Sequence, residues 1–172
     1  MDYAGILRAL TTASLVFGGL ALAWAGMRRW RAAATAYAAA ATGWWGAVLW
    51  TADAAQAGAF ETGAAALPAP TAPVIVAVLI GFVIALASRA GTRKALAAAF
   101  VWAVITTGMA VVFSAQGVFG ALGAAGVLLA HLAGAAVTFF AARTAGAAPV
   151  EPPRPGAGSR PPAPLRPPGT GG

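Results

Sequence analysis

One side chain in this sequence has chemistry that its surroundings do not. His131, the only histidine, stands near the middle of the second half of a run from 95 to 142 that holds no Asp, Glu, Lys or Arg. An ionisable group at bilayer depth is costly and usually faces the protein interior. Three roles are open to it. It can be a neutral imidazole hydrogen-bonded to a threonine or carbonyl of a neighbouring helix, with Thr106 and Thr107 at matching depth. It can handle protons or a ligand, or it can ligate haem or a metal, which would need a second ligand from another subunit. The first is favoured because His131 has no ionisable partner within the run.

The rest of the inventory is spare. No HExxH, GxSxG, P-loop or paired carboxylate is present, and cysteine is absent, which removes thiolate chemistry, disulfides and cysteine metal sites. The set of partners needed for a serine or metal hydrolase is missing. The expectation is a protein that is not an enzyme and carries no cofactor and no metal. On a helix, Ala124, Val127, Leu128, Gly134, Ala135 and Thr138 share the face of His131, and most are small. Gly126, Ala130 and Gly134 form an adjoining small-xxx-small ridge of the kind that packs membrane helices.

The elements that must position these residues follow from composition. The chain is 60% hydrophobic and 9% charged, against about 25% charged in soluble domains. A helix needs roughly 20 apolar residues to cross hydrocarbon. That spacing predicts an all-α, polytopic transmembrane bundle of five spans, at 6–26, 32–52, 74–88, 95–113 and 118–142. The uncharged run divides at Ser114-Ala115-Gln116-Gly117. The apolar run VIVAVLIGFVIALAS would suit a strand in a soluble protein, but in lipid the backbone must bond within its own segment, which selects helix.

The second span is mostly alanine, so Tyr37, Trp44, Trp45 and Trp50 are expected to supply much of its membrane affinity, with Trp50 at the headgroup boundary. Trp44 and Trp45 lie deeper, where they could line a pocket, though packed or lipid-facing indoles are the commoner arrangement. A rival reading of the first span is a cleaved signal peptide ending at Ala23-Trp24-Ala25. The aspartate near the start and the three arginines after the cut oppose it. Segment 53–73, with Asp53, Glu61, Pro68, Pro70 and Pro73, is expected as a connection with a short surface helix around 54–66. Residues 144–172 hold nine prolines and six glycines, the composition of a disordered tail. Its PxxP spacings, such as Pro152–Pro155, arise readily by chance in such a segment. The chain therefore divides into a helical domain, 1–143, and a tail, 144–172.

Charge sets orientation. Arg28, Arg29 and Arg31 fall in one connection, Arg89, Arg93 and Lys94 in another, and Arg143 follows the last span. With five spans these all share a side, and the positive-inside rule makes it the cytoplasm, leaving the N-terminus outside. The net charge of +7 thus belongs to helix ends and anionic headgroups, and nucleic acid is not an expected partner.

The stretches GFVIALASRAGTRKALAAAFVWAVITTG and GALGAAGVLLAHLAGAAVTFFAAR, through Arg89, Arg93, Trp102 and His131, resemble a family of small bacterial polytopic membrane proteins of unknown function. That resemblance covers about 73–143. It implies roughly four spans, a basic turn between the second and third, and a histidine among small residues in the last. The additional first span and the proline-rich tail depart from the pattern. The expected function is a non-enzymatic accessory or structural component of the bacterial cytoplasmic membrane, in contact with the lipid bilayer and alone, as a homo-oligomer or in a larger membrane complex. The alternative is a small oligomeric transporter or channel subunit with His131 at midplane.

Overall fold

The computed structural model describes residues 3–58 and 69–145. All the regular structure among them is helical: α1 (Tyr3–Gly26), α2 (Trp30–Gln56), α3 (Ala72–Ser88), α4 (Arg93–Ala115) and α5 (Gly120–Ala145). Each expected span has its helix, but the ends differ for physical reasons. α3 begins before Pro73 because proline costs nothing in a first turn, where its missing N–H would be unpaired anyway. α4 takes in Arg93 and Lys94 because the Thr92 hydroxyl accepts from the Ala95 N–H at 3.3 Å and caps the helix there.

α2 likewise starts earlier, at Trp30, and its C-terminus extends through Asp53 to Gln56. Asp53 therefore belongs to a helix rather than to the connection. Its carboxylate accepts from the Thr71 N–H at 3.1 Å and from the Thr71 hydroxyl at 2.5 Å, tying the end of α2 to the start of α3. The remainder of the expected surface helix, and the tail beyond 145, lie outside the described residues.

Three of the helix ends run into a glycine with positive φ: Gly58 after α2, Gly91 after α3 and Gly117 after α4. After α4 the Gly117 N–H donates to Ser114 O and the Val118 N–H to Phe113 O, a Schellman closure. α1 ends with the same pair of bonds, Arg28 N–H to Ala25 O and Arg29 N–H to Trp24 O. There the left-handed position is held by Arg28, at φ 57°.

Short turns make α1 and α2, α3 and α4, and α4 and α5 antiparallel neighbours. α2 is the hub: it packs against α1, α3, α4 and α5, while α1 makes its extensive contacts with α2. Alanine is what allows this. Ala33, Ala34 and Ala38 are fully buried along α2, and small side chains let neighbouring backbones approach. A Cβ on Gly43 would lie 3.1 Å from Leu10 O of α1, and one on Gly46 would lie 2.8 Å from a Val78 methyl of α3. Trp50 is 3% exposed, packed inside the bundle. Trp45 is likewise buried among the neighbouring helices, while Trp44 is half-buried. The outer faces of α3, α4 and α5 carry the exposed Ile, Leu, Val and Phe side chains.

Candidate functional site

His131 projects from α5 toward α2 and is 6% exposed. Trp45 Nε1–H donates to His131 Nε2 at 2.8 Å, and His131 Nδ1 lies 2.8 Å from Val127 O, one turn back on its own helix. An indole nitrogen can only donate and a carbonyl can only accept. The two bonds together select one form of the ring, neutral, with its proton on Nδ1. Both nitrogens are then satisfied. The expected threonines are at the right depth but serve the backbone: the Thr107 hydroxyl donates to Ala103 O at 2.7 Å and reaches His131 O at 3.4 Å, and Thr106 donates to Ala103 O at 3.1 Å.

Aromatic rings surround the imidazole. Trp45 lies edge-on at 5.7 Å between centroids and Tyr37 at 6.4 Å. Phe113 and Phe119, from the ends of the α4–α5 turn, pack on Trp45 at 5.4 and 6.5 Å. Such edge-on pairs each contribute about 0.5–1.5 kcal/mol beyond burial. The Tyr37 hydroxyl is buried without a hydrogen-bond partner and has the Thr106 hydroxyl as its polar neighbour.

The small ridge on α5 divides. A Cβ on Gly134 would overlap the Tyr37 ring, so glycine is required where α2 crosses α5. A Cβ on Gly126 would meet nothing within 4 Å, and Ala130 is exposed. Both line, with His131 and Gly134, a cleft of about 460 Å³ between α1 and α5, floored by Tyr37, Ala40, Ala41 and Trp44 of α2 and walled on α1 by Ser14, Leu15, Gly18, Gly19 and Leu22. Ser14 spends its hydroxyl on Ala40 O at 2.8 Å, which fastens α1 to α2 along the cleft edge. The Trp44 ring faces the cleft, its Nε1 buried and without a hydrogen-bond partner.

Arg28 and Arg29 on the α1–α2 turn, Arg31 in the first turn of α2, Arg89 on the α3–α4 turn, Arg93 and Lys94 in the first turn of α4 and Arg143 in the last turn of α5 all stand at one end of the bundle. The Arg31 side chain lies across Gly91, bridging the two turns. Asp53, the sole acid among the described residues, is at the other end. Among the described residues no group of three His, Asp or Glu is placed to hold a metal.

Sequence reasoning singled out His131 but passed over its partners, Trp45 as donor and Tyr37 as the ring over Gly134. Both lie on α2 two turns apart, the one periodic signal that set them on a common face. No known protein family, curated protein or solved structure matches the chain.

Proposed function

We propose that the chain is a five-span integral protein of the bacterial cytoplasmic membrane, with its N-terminus outside and its C-terminus in the cytoplasm. In this reading it serves as a non-enzymatic accessory or structural component. By length and composition α1, α4 and α5 are each able to cross a membrane, and α3 is a shorter apolar helix of 17 residues. α2 has the length, at 27 residues, with a lower hydropathy that suits a helix packed against four others. The gathering of seven cations at one end supports the orientation.

The observation that carries the accessory role is the state of His131. Its ring is fastened on both nitrogens to Trp45 and to its own helix, and the surrounding faces are alanine, glycine and aromatic carbon. That is the arrangement of a helix-joining residue. Reporter fusions test the topology: a fusion after Arg143 should be active only in the cytoplasm, and one near residue 64 only outside. A periplasmic signal from the tail would remove the five-span arrangement. Purification in mild detergent should then identify the membrane complex, or the second copy, with which the protein travels.

A further inference from the structure

The basic end and the α1–α5 cleft lie along the same helix, α5. Arg28, Arg29, Trp30, Arg31, Ala32 and Thr144 line a depression between the α1–α2 turn and the end of α5. On α5, Ala130, Ala133, Val137 and Thr144 are spaced by three, four and seven residues and therefore share one stripe of the helix. The stripe begins in the apolar cleft and ends in the basic depression. Phe140, between Val137 and Thr144 on that stripe, stacks at 5.5 Å on Trp30, which lines the depression. From His131 to Thr144 the rise is about 20 Å at about 1.5 Å per residue. One leaflet with its headgroups measures about the same.

We propose that the cleft and the depression together form a site for one anionic phospholipid, its phosphate held by Arg28 and Arg29 with Arg31 beside them, and one acyl chain lying on α2 as far as His131. The inference rests on the membrane reading above. Guanidinium forks match phosphate oxygens bidentately, and no acid among the described residues stands at this end to compete. The wall of the cleft is almost wholly carbon, with Gly18, Gly19 and Gly126 leaving room for a chain of methylenes. A helix from a second copy fits less well. Insertion would set two copies in the same orientation, and a symmetric pair across this site would bring two clusters of like charge together. Arg28 adds a local sign: it occupies a left-handed position for which the other turns use glycine, keeping a cation where the backbone would accept none more easily.

The test uses full-length protein extracted from membranes, with its recovery in the membrane fraction measured first. Native mass spectrometry then follows retained lipid after exchange into equimolar phosphatidylglycerol and phosphatidylcholine of identical chains. One phosphatidylglycerol per protomer is expected. Arg28→Gln with Arg29→Gln should reduce its retention by about tenfold or more, each cation near the surface attracting an anionic headgroup, while Arg89→Gln with Arg93→Gln should change it by less than about twofold. Ala130→Leu, facing the cleft, should displace the lipid while circular dichroism and elution stay as in the parent. Equal losses from both arginine pairs would overturn the site, since diffuse surface charge would explain them. So would an Ala130→Leu protein that folds and keeps its lipid, or a lipid-free dimer that Ala130→Leu dissociates. Absence from the membrane fraction would overturn the five-span reading along with the site. Membrane-embedded protein without a retained anionic lipid would overturn the site alone.

Discussion

At the scale of single residues, two contacts of α5 with α2 differ in kind and should differ in cost. The Trp45–His131 bond joins two neutral groups, and such interhelical bonds in membranes average about 0.6 kcal/mol with a maximum near 1.7. Trp45→Phe should therefore cost the pair modestly, and a double-mutant cycle with His131→Leu, read by thermal unfolding in detergent, should give a coupling of that size. The same substitution frees His131 Nε2, so the nitrogen NMR signals of the ring should move away from a pure Nδ1–H tautomer. Gly134 is a steric matter. Gly134→Ala would drive a methyl into the Tyr37 ring, and overpacking costs typically 1–3 kcal/mol. Tyr37→Leu should relieve most of that loss when the two are combined. Ala130, in contrast, faces the cleft, and Ala130→Leu should leave the melting temperature nearly unchanged. Arg28 invites the opposite experiment. A non-glycine residue in the left-handed region costs roughly 1–2 kcal/mol, so Arg28→Gly should raise stability by about 1 kcal/mol while weakening lipid retention.

At the scale of elements, α2 is the helix the other four need, and its composition says so only indirectly. Hydropathy locates α1, α4 and α5 readily, because their outward faces are Leu, Val, Ile and Phe. In α2 the same measure is diluted by alanine and by Thr42, Gly43 and Gly46, residues chosen for closeness rather than for lipid affinity. Helix positions were thus legible in the chain, down to the short basic and glycine turns. Burial was not, since a run of alanines gives no face, and whether Trp45 meets lipid or imidazole depends on which helix lies opposite. The histidine was legible as an oddity among uncharged neighbours, whereas its indole donor belongs to another element 86 residues away. The packing makes a prediction of its own. Ala38 of α2 is fully buried in a cluster with Ala85 of α3 and Trp102 of α4. Ala38→Leu should cost about 1–3 kcal/mol by overpacking, while Leu79→Ala on the exposed face of α3 should leave detergent unfolding close to the parent.

At the scale of the whole molecule, α1 stands apart from the other helices. It leans on α2, is held there by the Ser14–Ala40 bond, and makes one wall of the cleft. In the proposed topology the orienting charge lies beyond its end, in the three arginines at positions 28, 29 and 31. A chain beginning at Met27 would, in that topology, have four spans, with its N-terminus now beside those arginines. The positive-inside rule keeps that segment, the α3–α4 turn and Arg143 on the cytoplasmic side, so the remaining helices should insert as before. Reporters after Arg143 and near residue 64 should read as they do in the full chain. Stability should fall, since Gly43 and the buried small face of α2 would lose the helix laid against them, and the anionic lipid should no longer be retained. A truncated protein whose tail reported from the periplasm would show that α1 directs insertion. The basic segments would then be a consequence of topology rather than its cause, and the orientation of the bundle would have to be sought in the first helix alone.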